Sequence, residues 1–140
     1  MIGDAVAIVD GVERRFPPLS VRQVCTMQTA LAERAAADAI ADCRALGLDA
    51  DETIRRARTA REDSRLATSL VRSCFTFDGA CRVLTESVGA DRAESMLDGI
   101  APDALVELAL QVIGFEWDND AGKWVRRSRL NPDANARAIG

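Results

Sequence analysis

Residues 20–46 read SVRQVCTMQTALAERAAADAIADCRAL, and this stretch decides the fold. Ser20, with Gln23 three residues on, makes a capping box that opens a helix. From Val21 to Leu46 the residues Val21, Val24, Cys25, Leu31, Ala35, Ala36, Ala39, Ile40 and Cys43 fall on one broad stripe. Cys25 and Cys43 are eighteen residues apart, which is five helical turns, so they share an azimuth. Arg22, Glu33 and Arg44 lie on the opposite side. The stripe is rich in alanine and lets another helix approach closely. At 1.5 Å per residue such a helix is about 39 Å long, comparable with the diameter of a small domain, so it is the spine of the fold. Gly47 is placed to cap its end.

Toward the N-terminus, Val6–Val9 is a short apolar run, followed by Asp10-Gly11 and then by a second extended segment, Val12–Phe16. That dipeptide is the strongest short-range hairpin signal, because a two-residue turn needs positive φ. Pro17-Pro18 ends the second strand, since neither residue donates to a ladder.

Toward the C-terminus, Asp49 and Glu52 form a second capping box, and the pattern predicts one helix from Ala50 to Phe75. In its first half Arg55, Arg56, Arg58, Arg61 and Arg65 surround only Ile54, Ala57 and Ala60, which predicts a segment that projects or meets a polar partner. In its second half Leu66, Ala67, Leu70, Val71 and Cys74 read as core. Asp78 is expected to cap a helix ending at Gly89, and Asp91 with Glu94 to start a short one through Leu97. Pro102 suits the first turn of a last helix, Asp103–Ile113, closed by Gly114. Phe115–Trp117 and Lys123–Val125 flank a polar turn and read as a second hairpin. The reading is a mainly α (α+β) fold: an N-terminal β-hairpin, one long amphipathic helix, three to four further helices and a small C-terminal hairpin. No linker divides the chain, so residues 1–127 read as one helical domain, followed by a polar tail over 128–140.

The chain has 140 residues with 48% hydrophobic and 29% charged side chains, a globular composition of single-domain length. No apolar run approaches the ~20 residues of a membrane span, and Met1-Ile2-Gly3-Asp4 carries no secretory pattern. The net charge of −4 is a poor start for a general nucleic-acid binder.

There is no histidine and no tyrosine, and Lys123 is the single lysine. The usual general base and the commonest metal ligand are therefore missing. Cys25, Cys43, Cys74 and Cys81 contain no Cys-x-x-Cys pair, which removes the zinc and thioredoxin-type readings and leaves buried thiols as the simplest one. A Cys74–Cys81 disulfide, and redox chemistry at that pair, stay open from sequence. Asp118, Asp120 and Gly122 hint at a calcium loop, but the glycine is at the fifth place and Arg129 stands where a bidentate glutamate is needed. Gly122-Lys123 lacks the upstream glycine of a phosphate loop. The paired carboxylates Asp118/Asp120 and Glu62/Asp63 sit in segments read as exposed, which does not suit paired acid–base work. Catalysis has little to work with, and no cofactor is expected.

Binding surfaces are better represented. The arginines at 55–65 face Asp51, Glu52, Glu62 and Asp63, leaving five positive against four negative charges. This reads as a solvated helix with i,i+4 pairs or as a docking surface for an acidic protein through Arg55, Arg58 and Arg61. Trp117 and Trp124 beside Lys123, Arg126, Arg127 and Arg129 suit a protein contact, an edge strand guarded by charge, or single-stranded nucleic acid. The Val24–Leu31–Ala35 part of the long stripe is either intramolecular core or an apolar groove for a partner helix.

The phrase Val9-Asp10-Gly11-Val12-Glu13-Arg14-Arg15-Phe16-Pro17-Pro18-Leu19-Ser20-Val21-Arg22-Gln23 resembles the start of small bacteriophage tail assembly chaperones. Those proteins begin with a hairpin on a Gly-x-x-aromatic-Pro-Pro-Leu-Thr/Ser phrase, followed by a helix opening at the Thr/Ser. The Arg-Asn-Tyr-Pro segment of some relatives is missing here. The resemblance implies non-enzymatic work: binding the helical tape-measure protein, preventing its aggregation and recruiting tail-tube subunits, in the bacterial host cytoplasm during assembly. A permanent virion component of tail, baseplate or neck, in a homo-oligomer or against other phage structural proteins, is the alternative. A small nucleic-acid-binding regulator is the second.

Overall fold

A computed structural model of the chain describes residues 3–65 and 67–126. Leu66 and the side chain of Ala67, both read as core, lie outside the described residues, as do Arg127, Arg129 and the 128–140 tail. Among the described residues the order is β1 (Ala5–Val9), β2 (Val12–Phe16), α1 (Val21–Ala45), α2 (Ala50–Ser64), α3 (Ala67–Cys74), α4 (Phe77–Val88), α5 (Ala90–Leu97), α6 (Pro102–Val112), β3 (Phe115–Asp118) and β4 (Lys123–Arg126). This is a mainly α fold with a hairpin at each end. The described residues form two compact units, one of 3–20 with 73–126 and the other within 21–72.

In the second unit, α1 and α2 make an antiparallel helix pair. The turn between them is built locally: Gly47 takes φ 71°, its N–H donates to the Arg44 carbonyl at 3.1 Å, and the Leu48 N–H donates to the Cys43 carbonyl at 3.0 Å. These two bonds are the Schellman arrangement, which satisfies carbonyls the helix would leave open. Asp49 Oδ1 then accepts from the Glu52 N–H at 2.8 Å and caps α2. Only half of the expected box forms, because the Glu52 carboxylate is held by Arg55 and Arg56. The helix–helix seam is made of small side chains, with Ala32, Ala36, Cys43 and Ala57 all buried. Small seams allow close approach but bury little apolar area, and burial stabilises at roughly 25 cal/mol per Å².

Two expectations for this region are corrected. The arginine-rich α2 does not project; Ala57 seats it on α1, and Arg61 Nε reaches Glu33 Oε1 at 2.9 Å. The helix expected over Ala50–Phe75 is broken at Arg65, so among the described residues five further helices follow α1 where three to four were expected. Cys25 and Cys43 also part company. Cys43 is buried while Cys25 is exposed, and no residue of 21–30 is buried. The reason is length: α2 spans about 22 Å against about 37 Å for α1, so the partner ends before the stripe does.

In the first unit, α4 and α6 pack together and α5 packs on α4. Val83, Leu84, Leu105, Leu108, Leu110 and Val112 are buried there. β1 pairs antiparallel with β2, Val9 opposite Val12, across a two-residue turn in which Asp10 and Gly11 take φ 53° and 78°. Phe16 is fully buried, and the hairpin lies on α6 through β1 and on α4 through β2. Four hydrogen bonds fix it: Arg14 donates to the carbonyls of Met96 (3.1 Å) and Asp98, the Leu19 N–H donates to the Val112 carbonyl (2.8 Å), and Ser87 Oγ donates to the Pro17 carbonyl (2.5 Å).

The start of α4 corrects a cap. Thr76, not Asp78, is the N-cap, its Oγ1 accepting from the Gly79 N–H at 3.0 Å, and Asp78 sits in the first turn. α5 starts at Ala90 directly after Gly89, which has φ 90° and serves as the end of α4 and the entry to α5. Pro102 occupies the first turn of α6 as expected.

Candidate functional site

Of the ten side chains that the sequence offered as contacts, nine are described, and they separate into three places and two isolated positions. Leu31 and Ala35 line a shallow hollow of about 360 Å³ on α1, walled by Arg34, Asp38, Ser69 and Arg72. Arg58 and Arg61 line a different groove, of about 610 Å³, between α1 and α2. Trp117 and Trp124 are opposite each other on β3 and β4. Val24 is half-buried and lines neither hollow, and Arg55 is taken up by Glu52. Arg127 lies outside the described residues.

The α1–α2 groove is the best formed of the three. Its apolar lining is Ile40, Leu48, Ile54 and Ala57, and its rim carries Arg44, Arg58 and Arg61. Ile54 is 56% exposed. Arg61 is engaged by Glu33, while Arg44 and Arg58 make no ion pair among the described residues. The groove therefore combines an uncovered apolar floor with net positive charge on its edge. The residues missed from sequence are Ile40, Arg44, Leu48 and Ile54. Ile54 had a signal, since it is the one branched aliphatic residue in the arginine-rich half of α2.

On the second hairpin the two indole rings meet edge to face, with centroids 5.8 Å apart and planes at 75°. Register places Phe115 and Arg126 opposite one another and on the same side of the ribbon as the tryptophans. Trp117 is 49% exposed, so that side is an aromatic surface with one arginine. The turn between the strands consumes its own carboxylate: Asp118 Oδ1 accepts from the N–H groups of Asp120 (2.9 Å) and Ala121 (3.1 Å). The Asp118/Asp120 pair is thus a turn device, and no group of three or more metal-type ligands occurs among the described residues.

The titratable groups with displaced pKa values are few. Hydrogen bonds from Arg55 and then Arg56 hold the Glu52 carboxyl at about 2, down from 4.5, and the same contact with Glu52 raises Arg55. Because the folded value is depressed, what this group adds to stability is present above the ordinary carboxylate range and is lost as pH falls toward 2. An NMR titration of the Glu52 side chain should show a midpoint near 2, and Glu52→Gln should make the acid-range loss of α2 helicity smaller.

All four cysteines are free thiols. Burial pushes Cys74 up to about 12, and burial followed by the Asp78 charge raises Cys81, so neither offers a thiolate near neutral pH. Among the thiols only Cys25 is exposed, which corrects the expectation that all four are buried. A maleimide applied to the native protein at neutral pH should modify Cys25 first, and Cys74 only after unfolding.

No family profile, curated protein or solved structure matches the chain. No helix among the described residues is long and apolar enough to cross a membrane.

Proposed function

We propose that this chain works by binding other polypeptides, as a bacteriophage tail-assembly protein of the chaperone type that holds the helical tape-measure protein during assembly in the host cytoplasm. The observation that carries this reading is the α1–α2 groove, an uncovered floor of Ile40, Leu48 and Ile54 edged by Arg44 and Arg58. An amphipathic helix docks in such a groove by setting apolar anchors at i, i+3/i+4 and i+7 on the floor while its charged flanks meet the rim. The Phe16-Pro17-Pro18-Leu19-Ser20 run and the helix that follows it add the resemblance to tail chaperones, and the raised thiols and self-consumed Asp118 leave little for bond-making chemistry.

The test is affinity recovery of the tagged chain from prophage-induced cells, comparing lysate with finished particles. The reading expects a long helical protein to come down with it from lysate, and the chain to be absent from particles. Ile54→Arg should reduce that recovery at least about tenfold, the 1.4 kcal/mol of one lost anchor, with an unchanged Tm because the position is already exposed. Recovery within particles would make it a permanent subunit of tail, baseplate or neck. Recovery of nucleic acid that depends on Trp117 and Trp124 would make it a regulator.

A further inference from the structure

On the first hairpin a strand edge lies beside a helix, and no described strand pairs with it. In a two-residue hairpin with Val9 opposite Val12, the residues that exchange ladder hydrogen bonds are Val9/Val12, Ala7/Arg14 and Ala5/Phe16. The N–H and C=O groups of Val6 and Ile8 consequently point away from β2. Each sheet here has two strands, so no described strand pairs with that edge. Alongside it runs a groove of about 370 Å³ whose far wall is α6 and the turn before it, contributed by Gly99, Ala101, Ala104 and Leu108. Val6 and Ile8 are 39% and 74% exposed.

Natural edge strands are usually guarded by a lysine, a proline or a bulge. β1, with the sequence AVAIV, has none of these. The charges lie around it instead: Asp10 at the tip, Asp4 just before the strand and Glu107 on the α6 wall, none of which makes an ion pair among the described residues. A second copy of β1 paired antiparallel about Ala7 would bring Asp4 of one strand opposite Asp10 of the other, so like charges oppose self-pairing.

We propose that the open edge of β1 is a β-augmentation site for an extended segment of another polypeptide, apolar at alternate positions and flanked by basic residues. The incoming strand bonds to the Val6 and Ile8 backbones, sets alternate side chains against Ala104 and Leu108, and meets Asp4, Asp10 and Glu107 with its basic ends. This does not rest on the α1–α2 groove and concerns an occupant of different conformation.

The probe is a short capped peptide of alternating valine and threonine with lysine at both ends, and its counterpart ends in glutamate. The full chain, ¹⁵N-labelled, is titrated with each at low salt. The lysine peptide should shift and protect the Val6 and Ile8 amides, and the glutamate peptide should bind at least tenfold more weakly. Ile8→Pro deletes an outward N–H without deleting a ladder bond, and should lose at least tenfold in affinity with the hairpin signals of Val9 and Val12 intact. Val6→Lys, which keeps the backbone and places a like charge on the edge, should weaken the lysine peptide likewise should Ile8→Pro disturb the hairpin. Equal affinity for the two peptides, absence of binding, or shifts confined to other elements would overturn the proposal.

Discussion

Gly79→Ala is expected to destabilise the protein by at least about 2 kcal/mol, the opposite of what the same exchange does in an ordinary helix. Alanine normally gains close to 1 kcal/mol over glycine in a helix interior. Here a Cβ on Gly79 would overlap the Ser73 carbonyl oxygen and come 2.6 Å from its carbonyl carbon. The Ser73 carbonyl cannot swing aside freely, because it accepts from the Thr76 N–H at 3.1 Å and from Thr76 Oγ1 at 2.8 Å. The same Thr76 oxygen caps α4, so opening the corner loosens the cap as well. Ser73→Ala would remove a hydroxyl oxygen 2.5 Å from the added carbon but leave the backbone clash, and should rescue only a small part of the loss. Thermal unfolding of wild type, Gly79→Ala and the double variant measures this, and a Tm at or above wild type for Gly79→Ala would show that the corner is not packed as described.

The second large effect is at Phe16. It is among the largest fully buried side chains, and it sits at the end of β2 where the hairpin meets the α4–α6 layer. Truncation to alanine removes the ring and leaves a cavity under a short sheet otherwise held by the small buried Ala5 and by the hydrogen bonds of Arg14, Leu19 and Ser87. Phe16→Ala should cost about 3–5 kcal/mol. It should lower the Tm by more than about 10 °C. Phe16→Leu, which keeps most of the volume, should cost about 1.5 kcal/mol or less. Urea unfolding monitored by far-UV circular dichroism separates the two, and equal midpoints for alanine and leucine would contradict the burial of this ring.

Where local chemistry decides structure, the sequence is legible. Asp10-Gly11 demands a turn with two positive φ angles, Gly47 ends α1, and Pro102 starts α6, and each does so in the structure. Where two local signals compete, or where none exists, it is not. Thr76 and Asp78 are both good caps two residues apart, and the hydroxyl of Thr76 is the group that accepts from the Gly79 N–H. The break after Ser64 has no proline or glycine to announce it; Arg65 simply ends α2 in a helical conformation. The grouping of contact residues is tertiary. Arg58 and Arg61 share a groove with Ile40 and Leu48 because α2 folds back on α1 in one register, and the spacing of arginines along α2 says nothing about that register. The Trp117–Trp124 pair was half legible: the turn was evident, while direct opposition of the rings depends on the length of the loop.

The central claim is that the uncovered α1–α2 groove receives a helix of another polypeptide. A photo-crosslinking amino acid in place of Ile54, in the full chain expressed during prophage induction, tests it most directly. The account predicts one dominant crosslink to a long helical protein, suppressed when Arg44 and Arg58 are both changed to glutamate. Irradiation that joins Ile54 to no polypeptide, with the chain folded and present at normal level, would contradict it.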